Sequence, residues 1–306
     1  MKRIIIHEVG MRDGLQAEKE VIPTEQKVNW IKKLAETGVD IIQAGSFVNP
    51  KKLPQMADTD ELFNYFSKLE YKLNNVTLSG LVLNEKGLER GMVCGVEMFC
   101  MGVSASETHS QKNTGMTISQ ATDRIIAMAK GAIASGRKVQ VSVQSAFGCG
   151  YEGKISEEKV LSLVSKFLDK GLRNISLADT AGHAVPDQIE RLFTAIYKLD
   201  PSADCVCHLH NTYGLGLTNA YAAYKVGVRT FESSFAGLGG CPFTLVAAGN
   251  VSTEDLIHMF QKMNLRNDIK IDKLIGIARE AAEYFNRELP GIIYKTGKIP
   301  DVTLPN

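Results

Sequence analysis

A pair of histidines separated by one residue is the clearest chemical signal in this sequence. The stretch CHLHNTYG places His208 and His210 on a predicted strand, where residues two apart project to the same face. Two imidazoles on one face are a common pair of metal ligands, although two structurally satisfied histidines give the same pattern. With a carboxylate from Asp13, the ligands suit Mg²⁺, Mn²⁺ or Co²⁺ better than a structural zinc ion. The other histidines that we interpret as structural are His7, His183 and His258.

Cys241 lies between a glycine-rich run and a proline, in the stretch SFAGLGGCPF at 234–243. Glycine and proline both disfavour a helix or a central strand, so Cys241 is expected on a loop. Its thiol could be structural, ligate a metal or react. A metal site of oxygen and nitrogen ligands makes a sulfur ligand unfavourable, and a thiol with an ordinary pKa of about 8.5 can deliver a proton near neutral pH. The other five cysteines are expected to be buried, reduced thiols.

A repeated junction in the sequence predicts the fold. Stretches such as KKLAETGVDIIQAG and FLDKGLRNISLAD end a helical segment at a glycine and continue into a β-branched run, as a capped helix followed by a strand does. Eight such strands, each followed by a helix-like segment, indicate a (β/α)8 TIM barrel. A doubly wound sheet is the alternative, but GMRDGLQ after the first strand does not fit the GxGxxG fingerprint. The predicted strands cover about 3–9, 40–44, 76–82, 96–103, 138–145, 173–178, 204–210 and 229–233.

The 306 residues are predicted to form one catalytic domain, because α/β barrels of this length are common. The barrel would occupy about 3–265, and a short C-terminal helical extension with a tail would occupy about 266–306. A helix is expected near 271–286. Two capping boxes are predicted at helix starts, in the pairs Thr117 with Gln120 and Ser252 with Asp255.

Polar residues from separate parts of the chain fall at the predicted carboxyl ends of the strands, where TIM barrels place their active sites. This convergence indicates an enzyme without reference to any family. Two alternatives stay open, since Arg12 beside Asp13 could be a surface ion pair of little energetic worth, and Asp179 could cap the next helix. The candidate rim residues are Arg12, Asp13, Gln43, His109, Asp179, His208, His210, Cys241 and Asn250.

The overall charge and hydropathy exclude several classes of function. A net charge of +1 gives no electrostatic footprint for nucleic acid or for an anionic membrane. No apolar run approaches the roughly 20 residues of a membrane span, and the apolar run in MKRIIIHEVG is too short for a signal peptide. We therefore expect a cytoplasmic protein with no nucleic-acid or membrane partner.

Seven motifs resemble those of the 3-hydroxy-3-methylglutaryl-CoA lyase family, within a superfamily of metal-dependent TIM-barrel lyases and Claisen-type synthases. Over about residues 4–265 they are EVGMRDGLQ, SFVNPKKLPQMAD, GCGYEGKIS, LADTAG, HLHNTYG, SFAGLGGCPF and GNVSTEDL. The resemblance implies retro-Claisen cleavage of a tertiary 3-hydroxyacyl-CoA, which for 3-hydroxy-3-methylglutaryl-CoA gives acetyl-CoA and acetoacetate. It also implies Mg²⁺ or Mn²⁺ as cofactor and a homodimer.

The resemblance implies a role for each matching residue. Four residues fall on the family's metal-ligand positions: Asp13, His208, His210 and Asn250. Arg12 falls on the arginine that stabilises the developing enolate, and Cys241 falls on the catalytic cysteine, which we expect to protonate the enolate carbon. Asp179 matches a carboxylate near the substrate hydroxyl, and either Asp179 or Asp13 could take the hydroxyl proton. Lys19 matches a basic position and is expected to contact substrate.

Gln43 and His109, which we also expect to contact substrate, depart from the family's pattern. The family's second strand ends in a glutamate, as in IETTSF, where this chain has IQAGSF, and His109 stands where a phenylalanine is usual. Glutamine donates and accepts hydrogen bonds but has no negative charge, which leaves the exact thioester open. A citramalyl-CoA lyase, giving acetyl-CoA and pyruvate, is the alternative. A condensing synthase of the isopropylmalate or citramalate type is disfavoured, because those enzymes lack the GLGGCP loop.

Overall fold

Eight short parallel strands pair in chain order and close into a barrel, because the last strand also pairs with the first. The computed structural model describes residues 2–240 and 249–300. The predicted (β/α)8 barrel is confirmed, and each strand lies where the repeated junctions place it. The strands are β1 (Ile5–Glu8), β2 (Ile41–Ser46), β3 (Thr77–Leu81), β4 (Met98–Ser104), β5 (Lys138–Gln144), β6 (Asn174–Asp179), β7 (Asp204–Leu209) and β8 (Thr230–Ser233).

Helices between the strands form the outer layer and bury their apolar faces against the barrel. None of the helices in the described ranges is long and apolar enough to cross a membrane. They are α1 (Thr24–Ala35), α2 (Thr59–Ser67), α3 (Glu85–Val93), α4 (Glu107–Thr114), α5 (Ile118–Ala134), α6 (Glu157–Asp169), α7 (Pro186–Leu199), α8 (Gly216–Lys225), α9 (Thr253–Lys262), α10 (Ile271–Tyr284) and α11 (Ile293–Thr296).

The two predicted capping boxes turn out differently. At the start of α5, the Thr117 side chain accepts from the Gln120 N–H, and the Gln120 side chain accepts from the Thr117 N–H, so this box is confirmed. At the start of α9, Ser252 accepts from the Asp255 N–H as expected. The Asp255 carboxylate, however, accepts from the N–H groups at 292 and 293 instead of returning to the cap. It therefore fastens the C-terminal segment to α9.

The C-terminal helices pack onto the barrel and support its catalytic end. Trp30 of α1 contacts the ring of Phe235 at a centroid distance of 5.6 Å and the ring of Tyr284 at 5.3 Å. Arg266, which precedes α10, donates to the Ile4 carbonyl at 2.8 Å and pairs with Asp40 at 2.6 Å. The C-terminal extension therefore contacts the barrel both near the start of its strands, through Arg266, and near their carboxyl ends, through Tyr284 and Trp30. The helix predicted near 271–286 is α10.

Candidate active site

A cavity of about 700 Å³ opens at the carboxyl ends of the strands. It is lined by residues from almost every strand end, as expected for a barrel of this type. The predicted site residues that line it are Arg12, Asp13, Gln43, His109, His208 and His210. The structure therefore brings together residues that lie up to 198 positions apart in the chain, since Arg12 and His210 both line this cavity.

A tight turn after β1 presents Arg12 and Asp13 to this cavity. The turn is a single π-helical turn, Gly10–Gly14, in which the Asp13 N–H donates to the Val9 carbonyl at 2.7 Å. Gly10 is required here, because a Cβ at this position would lie 2.5 Å from the Phe235 ring. Neither the turn nor its tight packing is evident from the sequence, which only places Arg12 and Asp13 just after the first strand.

Glu8 holds this turn against the other side of the barrel. One of its carboxylate oxygens accepts from the Gly10 N–H at 2.7 Å and from the Phe235 N–H at 3.0 Å. The other accepts from the Thr253 hydroxyl at 2.5 Å. Burial raises the pKa of Glu8 to about 7, although these hydrogen bonds oppose the shift. Glu8 therefore links β1 to the segment that leads into the 241–248 stretch.

The Arg12 guanidinium is fixed by two neighbours. Its Nη1 donates to Oδ1 of Asp13, and its Nε donates to Oε1 of Gln43. The side chains of Arg12 and Asp13 are only 12% and 13% exposed, so the pair is not the surface ion pair that the sequence left open. Burial opposes ionisation of Asp13, but the Arg12 charge and the two neighbouring histidines hold its pKa well below the usual value. Asp13 is therefore a carboxylate.

The two predicted histidines face the free oxygen of Asp13. Oδ2 of Asp13 lies 3.8 Å from Nε2 of His208 and 3.7 Å from Nε2 of His210. Within the described ranges, one atom from each of these three residues lies within 4.8 Å of the other two, a spacing that suits one shared cation. Asn250 joins them, since its Nδ2 donates to Oδ2 of Asp13 at 2.9 Å and its backbone bridges to His210.

The donor atoms at this cluster fit a divalent cation. The Asn250 amide nitrogen is occupied by Asp13 and by the Leu238 carbonyl at 3.1 Å. Its Oδ1 is buried and has no hydrogen-bond partner among the described residues, which costs free energy of about 1–3 kcal/mol unless something binds it. One carboxylate, one amide oxygen and two imidazole nitrogens form a mixed oxygen and nitrogen donor set without sulfur, which a divalent cation such as Mn²⁺ or Mg²⁺ can accept. The predicted ligand set is thus geometrically consistent.

Glu232 of β8 is a site residue that our sequence reasoning missed. Its Oε2 lies 2.7 Å from Nδ1 of His208, its Oε1 lies 3.4 Å from Nδ1 of His7, and Nε2 of Gln140 donates to it. Burial alone would favour the protonated acid, but the hydrogen bonds and charges of the two histidines hold the pKa of Glu232 well below its usual value. A glutamate inside the buried strand TFES is the one sequence signal that could have indicated it.

Asp179 and Lys19 are placed differently from our expectation. The two oxygens of Asp179 accept from the N–H groups of His183 at 2.8 Å and Ala184 at 3.2 Å, and burial raises its pKa to about 6. Its carboxylate thus shapes the loop before α7 rather than capping that helix, which begins at Pro186. Lys19 is exposed, and neither Lys19 nor Asp179 is among the described residues that line the cavity.

His109 and three β5 side chains form another part of the cavity wall. His109 lies on α4, is 8% exposed, and has a pKa lowered by burial, so its ring is neutral at physiological pH. Gln140, Ser142 and Gln144 alternate along β5 and face the cavity, a pattern our sequence analysis did not single out. These four side chains are polar, and none of them is a carboxylate.

Cys241 lies outside the described residues, so its predicted role is untested by the geometry. Gly240, the residue before it, lines the cavity. The cysteines of the described ranges are all free and buried, as predicted, and they are Cys94, Cys100, Cys149, Cys205 and Cys207.

Comparison with known proteins agrees with the motifs. A family model described as HMGL-like matches residues 3–280. The hydroxymethylglutaryl-CoA lyase of Bacillus subtilis is 34% identical over 94% of this chain and 95% of that protein, and the (R)-citramalyl-CoA lyase of Chloroflexus aurantiacus is 33% identical over 98% and 96%. A solved HMG-CoA lyase from Acinetobacter baumannii, in complex with coenzyme A and 3-methylmalate, has a TM-score of 0.90 at 36% identity and covers 99% of this chain and 98% of that one. The resemblance inferred from the motifs is confirmed: the chain belongs to the HMGL-like family.

Proposed function

We propose that this protein is a carbon–carbon lyase that cleaves 3-hydroxy-3-methylglutaryl-CoA into acetyl-CoA and acetoacetate. The observation that supports this most directly is the convergence of Arg12, Asp13, His208 and His210 on one cavity. The family and the similarity to the Bacillus subtilis lyase support the reaction class. The solved relative that contains coenzyme A supports an acyl-CoA substrate.

Cleavage of the C2–C3 bond requires three events. The C3 hydroxyl loses a proton and becomes a carbonyl, the bond electrons pass to the thioester as an enolate, and the enolate carbon is then protonated. When bound by Asp13, His208, His210 and Asn250, a divalent cation would supply positive charge that makes the hydroxyl more acidic. The remaining events depend on side chains of this chain.

Arg12 is suited to stabilise the enolate oxygen. Two of its five N–H donors are taken by Asp13 and Gln43, which leaves the others for a ligand in the cavity. Since the two neighbours fix the guanidinium before substrate arrives, little reorganisation is needed as negative charge develops. We assign the hydroxyl proton to Asp13 rather than to Asp179, because Asp13 lines the cavity, whereas Asp179 is not among the described residues that line it.

We further propose that Cys241 delivers the final proton to the enolate carbon. The support is its sequence position, one residue after Gly240 in the cavity wall. Cys241→Ser should lower kcat by roughly 10²–10⁴-fold, which is the usual contribution of a general acid, and should leave Mn²⁺ affinity unchanged. Cys94→Ser, at a buried thiol beside Asp60, is the matched control and should keep wild-type kcat. Near-normal turnover in the Cys241 variant would remove the assignment.

A second candidate is cleavage of citramalyl-CoA. Gln43 supports it, because it places a neutral amide in the cavity where the family has a glutamate, and so does the similarity to the Chloroflexus lyase. The deciding experiment is a product assay over a panel of 3-hydroxyacyl-CoA thioesters with Mg²⁺ or Mn²⁺. Acetoacetate from 3-hydroxy-3-methylglutaryl-CoA at the highest kcat/KM supports the first proposal, and pyruvate from citramalyl-CoA at the highest kcat/KM replaces it with the second.

The assembly and location are also proposals. We infer a homodimer from the family resemblance, which light scattering coupled to size-exclusion chromatography would test. A cytoplasmic location is supported by the five free thiols among the described residues, since a reducing compartment keeps cysteines unpaired. Cell fractionation with an antibody would check it.

A further inference from the structure

We propose that Glu232 is a positioning residue that orients His208 toward the cation, and that His7 and Gln140 hold Glu232 for that task. The inference rests on the proposed metal site. It concerns residues that neither the motifs nor the family resemblance single out.

The alignment of three neighbouring strands creates this arrangement. In the barrel, Glu232 of β8 is in register with His7 of β1 on one side and with His208 of β7 on the other. All three side chains therefore point inward at the same level, and all are buried, with Glu232 7% exposed.

The geometry of His208 fixes which of its nitrogens faces the cation. Its Nδ1 lies 2.7 Å from Oε2 of Glu232, and its Nε2 faces Oδ2 of Asp13 at 3.8 Å. A carboxylate at this distance is placed to accept a proton from Nδ1, so we infer that Nδ1 holds the ring proton. The Nε2 lone pair is then directed at the cation site, and the carboxylate behind the ring increases its basicity as a ligand.

A set of donors keeps Glu232 in place. Nε2 of Gln140 donates to Oε1, and Nδ1 of His7 lies 3.4 Å from the same oxygen. Nε2 of His7 is in turn 2.8 Å from the Ser79 hydroxyl. These partners come from three further strands, so the carboxylate cannot rotate away from His208 without breaking contacts on β1 and β5.

His210 shows that the arrangement is specific to one ligand. Its Nε2 also faces Asp13, at 3.7 Å, but among the described residues no second carboxylate pairs with its ring. Only His208 therefore has a carboxylate behind it among the described residues.

Manganese binding to the purified protein tests the inference. Glu232→Gln keeps the size of the side chain and removes its charge, and we expect a 10–100-fold weaker Kd for Mn²⁺ by calorimetry. Glu232→Asp keeps the charge and should bind more tightly than the glutamine variant. Glu254→Gln, which removes a buried carboxylate that accepts from the Ala236 N–H, is the matched control and should keep wild-type affinity. Circular dichroism of each variant verifies folding.

The outcomes separate this inference from the metal site itself. If the wild-type protein fails to bind Mn²⁺, the proposed site is wrong. If the wild type binds and Glu232→Gln binds within twofold of it, or if Glu232→Asp binds more weakly than Glu232→Gln, the role of Glu232 is wrong.

A second measurement needs no variant of Glu232. In ¹⁵N-histidine-labelled wild-type protein with saturating Mg²⁺, long-range ¹H–¹⁵N spectra should show the His208 proton on Nδ1, with His208→Gln supplying the assignment. A proton on Nε2 of His208 would overturn the proposal.

Discussion

Replacing Glu254 with glutamine should remove a pH-dependent loss of stability. Glu254 lies in the first turn of α9 and is fully buried. One carboxylate oxygen accepts from the Ala236 N–H at 3.0 Å, whereas the other has no hydrogen-bond partner among the described residues. Burial, with a smaller contribution from the neighbouring Asp255 charge, raises the pKa of Glu254 to about 8.

The size and sign of the effect follow from linkage. In the unfolded chain Glu254 titrates near its ordinary value of 4.5, so between pH 4.5 and about 8 the folded protein retains a proton that the unfolded chain has released. Stability is therefore lost as the pH rises through this window and stays constant above it. At about 1.36 kcal/mol per pKa unit the whole loss is about 5 kcal/mol, of which about 4 kcal/mol falls between pH 5 and pH 9.

Urea unfolding followed by circular dichroism measures this difference. The free energy of unfolding of Glu254→Gln, minus that of the wild type, should rise by about 4 kcal/mol from pH 5 to pH 9. Glu8, whose pKa is raised to about 7, contributes a similar trend to both proteins and cancels in the subtraction. Glu283→Gln, at an exposed position on α10, is the control and should show a difference that does not vary with pH. A constant difference for Glu254→Gln as well would refute the argument.

Two further predictions concern the site. Asp13→Asn keeps the shape of the side chain but removes its charge, and should weaken Mn²⁺ binding at least tenfold and lower kcat/KM by at least 10²-fold. Calorimetry and a coupled acetyl-CoA assay would check this, and unchanged Mn²⁺ affinity would contradict the ligand assignment. Gln43→Glu adds a second carboxylate to Arg12 and should change the ratio of kcat/KM for 3-hydroxy-3-methylglutaryl-CoA and citramalyl-CoA by at least tenfold. An unchanged ratio would exclude Gln43 as a determinant of substrate choice.

The barrel was predictable because its signals are local. Each repeated junction needs a residue that accepts a left-handed backbone after a helix and an apolar run that follows it, and both are visible within about a dozen letters. Gly38 and Gly227, for example, adopt φ of 98° and 108° at such junctions. Strand order then follows from chain order, since neighbouring βα units pair in sequence around the barrel.

Two of the metal-ligand candidates, His208 and His210, could also be predicted from a local pattern. The contact between Glu232 and His208 could not. His208 and His210 share a face because strand side chains alternate, which is again a local rule. The role proposed for Glu232 depends on the register of β8 with both of its neighbours. On the β1 side, this register pairs residues more than 200 positions apart in the sequence, His7 and Glu232. No local pattern encodes such a pairing.

Asp179 differs from Glu232, because the sequence correctly predicted its position at the end of a strand. The sequence did not predict that its carboxylate would accept hydrogen bonds from backbone N–H groups. Short acidic side chains compete for nearby backbone N–H groups, and here two such groups take both oxygens. A sequence shows that a carboxylate is near the rim, but the path of the next five residues decides whether it faces the cavity.

The contacts of Gln43 bear on which thioester the protein cleaves. Its Oε1 accepts from Nε of Arg12, so the neutral amide makes a contact that a carboxylate oxygen could also make. What the amide adds is a pair of N–H donors, which a carboxylate lacks. A substrate oxygen near this wall would therefore meet donors from Gln43 as well as from Arg12. Citramalyl-CoA has a carboxylate attached directly to the carbinol carbon, whereas 3-hydroxy-3-methylglutaryl-CoA has a methylene between them. The two substrates therefore place this carboxylate at different distances from the carbinol carbon. The ratio of their kcat/KM values tests whether Gln43 distinguishes between these two positions.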